Sequence, residues 1–257
     1  MTDRLTIVKV GGAIVEDARS LAAFLDRFAA LDGFTLLVHG GGRSATALAS
    51  SMGIDTVMVG GRRVTDEAML RVVTMVYGGL VNKNIVAGLQ ARGVDALGVT
   101  GADMDMIRSR RRQVTAEGVD YGYVGDVERV NADAFASLLR AGVVPVVAPL
   151  THDGFGSMLN TNADTMASAV ATALAPVFDV TLMYCFEKPG VLADSSDDKS
   201  VIPVIDHAGF NDLKSRGVIT GGMLPKIENA LAAVDAGVTE VVITSAESLG
   251  GGTLIRG

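Results

Sequence analysis

Six short apolar runs, Leu5 to Val10, Thr35 to His39, Ala96 to Thr100, Val143 to Ala148, Val180 to Tyr184 and Glu240 to Thr244, are separated by segments of helical periodicity. This alternation constrains the fold more than any other feature. Strands that are apolar on both sides must be covered on both faces, and parallel neighbours need a helical crossover between them. The pattern predicts an α/β protein with a mainly parallel open sheet sandwiched by helices. At 257 residues the chain can bury a large core, and we expect one unit in which two lobes share a single sheet, dividing near residue 150. No internal repeat or low-complexity linker marks off autonomous domains.

Local signals refine this frame. From Ala163, apolar residues fall at Met166, Ala167, Val170, Ala171 and Leu174, one face of a helix with Asn162 as N-cap and Asp164 in its first turn. After Thr65, Asp66 and Glu67 suit a helix N-terminus that continues through Met69, Val72, Val73 and Val76, with Gly78 and Gly79 expected to kink or loosen it. The polar, glycine-punctuated stretch Asp103 to Asn131 carries Tyr121 and Tyr123 and suits hairpins forming a lid over a site. Asp194 to Ser200 is a polar turn cluster.

The net charge of −7 argues against a nucleic-acid coat or an anionic membrane surface, because both need clustered positive charge. The basic run Arg108 to Arg112 lacks interleaved aromatic residues and reads as a solvated loop or hairpin edge rather than a nucleic-acid contact. No stretch approaches the run of about 20 apolar residues that spans a bilayer. The first strand follows Met1 so closely that a leader is not expected, which points to a cytoplasmic protein. The lone Cys185 cannot form an internal disulfide and reads as a small buried hydrophobe in a reducing compartment.

Glycines cluster at element ends: Gly11 and Gly12 after Lys9, Gly40 to Gly42 after His39, Gly60 and Gly61 before Arg62 and Arg63, and Gly221 and Gly222 before Lys226. Glycine lets backbone N–H groups approach a ligand, and a helix starting just beyond adds its dipole, so strand, glycines and helix make an anion site. Each cluster alone is also an ordinary turn. Lys9 shifts the balance, since an ammonium at the end of an apolar strand is costly unless it meets an anion. Lys226 opens a helix bearing Ile227, Leu231 and Val234 and can reach the same phosphate, or be a solvated lysine. Asp164 reads either as a helix-terminus acid or as a carboxylate orienting two lysines. Arg62 and Arg63 suit bidentate capture of a substrate carboxylate.

No Walker phosphate-loop pattern is present. Gly40, Gly42 and Ala45 do match dinucleotide-fingerprint spacing, and the arginines some 20 residues on keep an NADP-dependent Rossmann-type enzyme as an alternative. His39 reads as structural or substrate-lining, and His152 and His207 as loop residues.

Ten segments occur in a fixed order: KVGG from Lys9, VHGGG from Val38, GRRVTDE from Gly61, NKNIVAGL from Asn82, LGVTGAD from Leu97, VPVVAPL from Val144, LNTNAD from Leu159, GVL from Gly190, GGMLPK from Gly221 and GGT from Gly251. Over nearly the whole chain they resemble the amino-acid kinase family, and within it the acetylglutamate kinases of arginine biosynthesis. The resemblance implies ATP-dependent phosphorylation of an N-acylglutamate γ-carboxylate, with Lys9 and Lys226 stabilising the moving phosphoryl group and Asp164 organising both. It implies N–H donors at Gly11, Gly12, Gly41 and Gly42, acylglutamate against Gly40 and Gly41, Arg63 on its α-carboxylate and Asn160 on its α-substituent. ATP is then expected over the lobe 151–257, near Glu187, Gly190, Leu192, Ile219 and Thr220, with Mg2+ carried by the nucleotide and acylglutamate in the lobe 1–150.

A carboxylate attacks already deprotonated, so this chemistry needs no general base. The chain departs from many such relatives in having Cys185, Phe186, Glu187, Lys188 and Pro189 where they carry an aspartate-valine-serine run, and again over Asp120 to Asn131. The second departure keeps N-succinylglutamate as an alternative acceptor. The family resemblance also implies a homodimer, and a start directly on the first strand implies one insensitive to arginine.

Overall fold

The computed structural model describes residues 3–220 and 223–257. In chain order its strands are β1 (Arg4–Val10), β2 (Phe34–His39), β3 (Met58–Val59), β4 (Arg62–Arg63), β5 (Ala96–Val99), β6 (Ile107–Arg111), β7 (Gly125–Val130), β8 (Val144–Val147), β9 (Leu150–His152), β10 (Met158–Asn160), β11 (Asp179–Phe186), β12 (Val204–Ile205), β13 (Glu240–Ser245) and β14 (Thr253–Ile255). All six predicted strands lie in one sheet, ordered β12-β14-β13-β11-β1-β2-β8-β5. Its pairs are parallel except β13 with β14.

Helices cover both faces, as the alternation requires. One face packs α6 (Ala132–Arg140), α7 (Ala163–Leu174), α8 (His207–Ser215) and α9 (Met223–Asp235). The other packs α2 (Ala18–Ala29), α3 (Gly42–Ser51), α4 (Glu67–Val73) and α5 (Asn82–Gln90). The period of two in a strand then assigns every side chain a face. Leu5 and Ile7 of β1 join the α7 side, so Lys9 falls there too, while Val8 and Val10 join the α5 side. On β2, Leu36 and Val38 face α7, and Leu37 places His39 toward α5.

Helices α4 and α5 are joined without a break by a π-helical segment, Thr74–Val81, as Gly78 and Gly79 suggested. Two glycines weaken the α-helical preference, which eases the widening to i→i+5 hydrogen bonds. The resulting rod, Glu67–Gln90, has 24 residues, and an 18-residue stretch of it has a mean hydropathy of 1.3. By length and composition it could cross a bilayer, which the sequence reading did not expect. Its apolar side is spent in the core, where Met69, Val72, Val73, Ile85 and Leu89 are buried.

A second sheet, β10-β9-β6-β7, forms where hairpins were expected. The basic run forms β6 and the residue after it, an inner strand between β9 and β7 rather than an edge, with Ser109 buried, Arg108 paired with Asp105 at 3.0 Å and Arg112 with Asp126 at 2.7 Å. The loop carrying Tyr121 and Tyr123 is threaded into this wall. Thr65 N–H donates to Tyr121 O at 3.0 Å, and Asn160 N–H donates to Tyr123 O at 2.8 Å.

Candidate active site

Lys9 is the sixth residue of β1 and almost fully buried, on the face that carries α7. Asn162 caps α7 by accepting the Thr165 N–H at 2.9 Å, which fixes Asp164 in the first turn. The Lys9 ammonium lies 2.7 Å from Asp164 Oδ1. The approach is off the angle of a formal hydrogen bond, so this is an ion pair that leaves Oδ1 with acceptor capacity. Burying the ammonium is tolerable because the carboxylate meets it.

Lys226 reaches the same place from α9. Its Nζ lies 3.6 Å from the ring centroid of Phe186, and the Lys9 Nζ lies 5.3 Å from that same ring. The ring in turn stacks on Tyr184, centroids 6.1 Å apart and planes nearly parallel. Desolvation pushes the Lys226 ammonium below its ordinary pKa, and the Asp164 charge acts in the opposite sense. Asp164 is thus felt by both lysines. Gly221 and Gly222, which the sequence placed before this lysine, lie outside the described residues.

The first two glycine clusters meet because β1 and β2 are paired with Val10 beside His39. Gly40 N–H donates to Val10 O at 2.9 Å. A Cβ on Gly40 would lie 3.1 Å from Gly12 N, and one on Gly41 would lie 3.1 Å from Tyr77 Cδ1 and 3.3 Å from Val81 Cγ2. Glycine is needed here for close approach. Glu16, which follows the short helix α1 (Gly12–Val15), accepts the Ser44 N–H at 2.7 Å and ties the two loops together.

Arg63 is buried and holds the second loop, donating to Gly42 O at 2.8 Å, Thr46 Oγ1 at 2.9 Å and Thr56 Oγ1 at 3.1 Å. Its neighbour Arg62 is half-buried. Desolvation, helped by the Arg112 charge, lowers the Arg62 pKa. Both arginines, with Gly40, Gly41 and Asn160, line a cavity of about 190 Å³. Asn160 is held there by donating from Nδ2 to Thr65 Oγ1 at 3.0 Å. A larger cavity of about 960 Å³ adjoins it, lined by Gly11, Gly12, Gly42, Glu187, Gly190 and Lys226. Asp164, Lys226, Phe186 and Arg62 line a third space of about 210 Å³.

The expected residues therefore converge, with exceptions. Ile219 is buried in the core and Leu192 pairs with Val201, so neither side chain walls these three cavities. Thr220 is exposed and lines none of the three. His152 ends β9 and meets Asp105 at 2.8 Å, and His207 opens α8 and meets Asp235 at 2.9 Å, so both sit in elements rather than loops. Cys185 is buried, and desolvation pushes its thiol up to about 12, keeping it a protonated hydrophobe. Sequence reasoning missed Phe186 as the plate beneath both lysines. The available signal was its place two residues beyond Tyr184, the register partner of Lys9.

Two buried or half-buried lysines, a shared carboxylate and paired glycine loops at the carboxyl ends of parallel strands define a phosphoryl-binding α/β protein. The amino acid kinase family model matches residues 4–245, and the chain belongs to that family. It is 62% identical over 258 aligned positions to the acetylglutamate kinase of Phocaeicola vulgatus, covering 100% of both chains. Among solved structures it is similar to smu.665 of Streptococcus mutans, with a TM-score of 0.80, 30% identity and 98% of each chain covered. It also shares its fold with the N-acetylglutamate synthase of Neisseria gonorrhoeae, with a TM-score of 0.82 at 22% identity over 98% of this chain and 59% of that one. Family membership sets aside the dinucleotide alternative, although the spacing of Gly40, Gly42 and Ala45 is real.

Proposed function

We propose that this chain transfers the γ-phosphoryl group of ATP to the γ-carboxylate of N-acetyl-L-glutamate, giving N-acetylglutamyl 5-phosphate, the second step of arginine biosynthesis. The meeting of the Lys9–Asp164 pair and Lys226 over Phe186, beside both cavities, carries the reading. Acylglutamate occupies the smaller cavity, with Gly40, Gly41 and Asn160 against it and Arg63 nearest its α-carboxylate. ATP occupies the larger one, with Gly11, Gly12 and Gly42 toward its phosphates, Gly41 at the junction with the acceptor, and Glu187 and Gly190 also in its lining. The segment 1–150 supplies most of the acceptor side, whereas the nucleotide side is shared, with more of its lining from 1–150 than the expected lobe 151–257 provides.

Bringing a carboxylate to a phosphoryl group sets anion against anion. The protein helps by alignment and by placing cations where charge develops. Lys9, held by Asp164, neutralises the moving group from the sheet side, and Lys226 does so from α9. Neither has a proton to remove. Mg2+ is carried by the nucleotide, and among the described residues no group of three or more His, Cys, Asp or Glu gathers as metal ligands. When bound, it supplies further neutralisation between the β- and γ-phosphates.

Arg62 favours one second reading. It lines the acceptor cavity together with Arg63 and with no acidic residue among the described residues of the lining, and two arginines suit a second carboxylate on the acyl group, as in N-succinyl-L-glutamate. We further place the protein in the cytoplasm as a homodimer, joined through the rod Glu67–Gln90, where Met75 and Leu80 are exposed. Incubation with Mg-ATP and glutamate, acetylglutamate or succinylglutamate, followed by hydroxylamine, should trap a hydroxamate from an acylglutamate only. No hydroxamate from any of the three ends the proposal, and the faster acceptor decides the acyl group.

A further inference from the structure

His39 and Asn82 are themselves assigned no contact with either substrate, yet they are joined in the core. His39 is wholly buried and Asn82 nearly so. Asn82 Nδ2 lies 2.9 Å from Val146 O and 3.1 Å from His39 Nε2. A backbone carbonyl can only accept, so the amide must present its nitrogen to both, and Nε2 must be the acceptor. The ring proton is then on Nδ1, which donates to Gly40 O at 2.7 Å. Asn82 Oδ1 accepts from Lys83 Nζ at 3.0 Å, and that ammonium also donates to Gly98 O at 2.9 Å. Every member of the chain Lys83, Asn82, His39, Gly40 is oriented by the next.

The Gly40–Gly41 peptide is trans. In a planar trans peptide the C=O and the following N–H point in opposite directions. Pulling Gly40 O toward His39 therefore turns the Gly41 N–H away from the core. Gly41 is the N-cap of α3, a position whose N–H has no acceptor within the helix, and it lines the acceptor cavity. Tyr77 and Val81, from the π-helical segment that runs directly into Asn82, close on Gly41 from behind.

We propose that His39 and Asn82 are positioning residues that aim the Gly41 N–H at the phosphoryl group in transit. This rests on the kinase reading above. Burial lowers the imidazole to about 4, with Lys83 acting in the same direction and the Gly40 hydrogen bond against it, so the ring stays neutral and keeps its tautomer through the working pH range.

The test uses His39→Leu, which keeps bulk without a donor, His39→Asn, whose amide can reach Gly40 O, and Asn82→Ala. All are measured by hydroxamate formation, by thermal unfolding and by binding of ADP with aluminium fluoride as a mimic of the transferring group. A donor misplaced by about 1 Å can cost on the order of 100-fold. We expect His39→Leu and Asn82→Ala to lose roughly ten- to hundredfold in kcat, with KM for both substrates nearly unchanged. Affinity for the fluoride complex should fall in parallel with kcat, and His39→Asn should recover most of the loss. Wild-type kcat in a folded His39→Leu protein overturns the inference, as does a His39→Asn protein no better than it. If His39→Leu does not fold, Asn82→Ala and His39→Asn decide by the same criteria. Inactive wild-type protein would instead count against the kinase reading.

Discussion

Lys9 and His39 stand near the ends of adjacent strands, both almost fully buried, and on opposite faces of the same sheet. Lys9 faces α7 and is met by the carboxylate of Asp164. His39 faces α5 and is met by an amide and a carbonyl, and burial keeps it neutral. The difference separates two tasks in one pair of glycine loops. Charge is concentrated on the face where an anion would pass, and on the opposite face uncharged hydrogen bonds fix the backbone. A single face could not easily do both, because an imidazolium beside Lys83 would add repulsion without reaching the phosphates.

Breaking the charged face should have the largest effect. Lys9→Ala or Lys226→Ala should lower kcat by at least about 100-fold, the usual scale for losing one group that stabilises developing charge. Steady-state hydroxamate assays measure it, and near-normal turnover in either variant would show that the phosphoryl group lies elsewhere. The neutral face should reveal itself in the pH dependence of stability as well as in rate. The folded-state pKa of His39 is about 4 against an ordinary 6.5. The unfolded chain therefore binds a proton between those values that the native state refuses, so stability is full above about pH 6.5 and falls as pH drops toward 4. Full burial puts the change at roughly 3 kcal/mol. Urea unfolding of wild type and His39→Asn across this window measures it, and parallel curves for the two proteins would contradict it.

Gly41→Ala tests where the two faces meet. With Tyr77 atoms at 3.1 and 3.3 Å from the new methyl group, overpacking should cost about 1–3 kcal/mol of stability in thermal unfolding, with turnover impaired as well. The smallest of these effects should come from Phe186. A cation–π contact contributes about 0.5–2 kcal/mol, so Phe186→Leu should reduce kcat by about two- to thirtyfold. Phe186→Tyr should restore it, and equal rates in all three proteins would reduce the ring to packing.

Much of this arrangement was legible in the sequence for a physical reason. Runs such as Leu5 to Val10 are apolar on both sides because both faces are covered, so strands, class and the oddity of Lys9 can all be read from one line. Asp164 could be placed in a helix turn from Asn162, but its distance to Lys9 is a tertiary fact. The short strands β12 and β14 escaped notice because two or three residues carry no period. Arg62 and Arg63 could not be told apart, since adjacent residues of a strand point to opposite sides. In the fold Arg63 is committed to Gly42, Thr46 and Thr56, while Arg62 faces Arg112. Phe186 was hidden because its role depends on a lysine 40 residues later folding back over it.

The central claim is that a γ-carboxylate oxygen attacks the γ-phosphorus of ATP on the Lys9 face. Acetylglutamate labelled with 18O in both γ-carboxylate oxygens tests this directly when the acyl phosphate is cleaved by hydroxylamine at its carbonyl carbon. The released phosphate should carry one 18O, the oxygen that bridged carbon and phosphorus. Hydroxamate accompanied by unlabelled phosphate would contradict the mechanism.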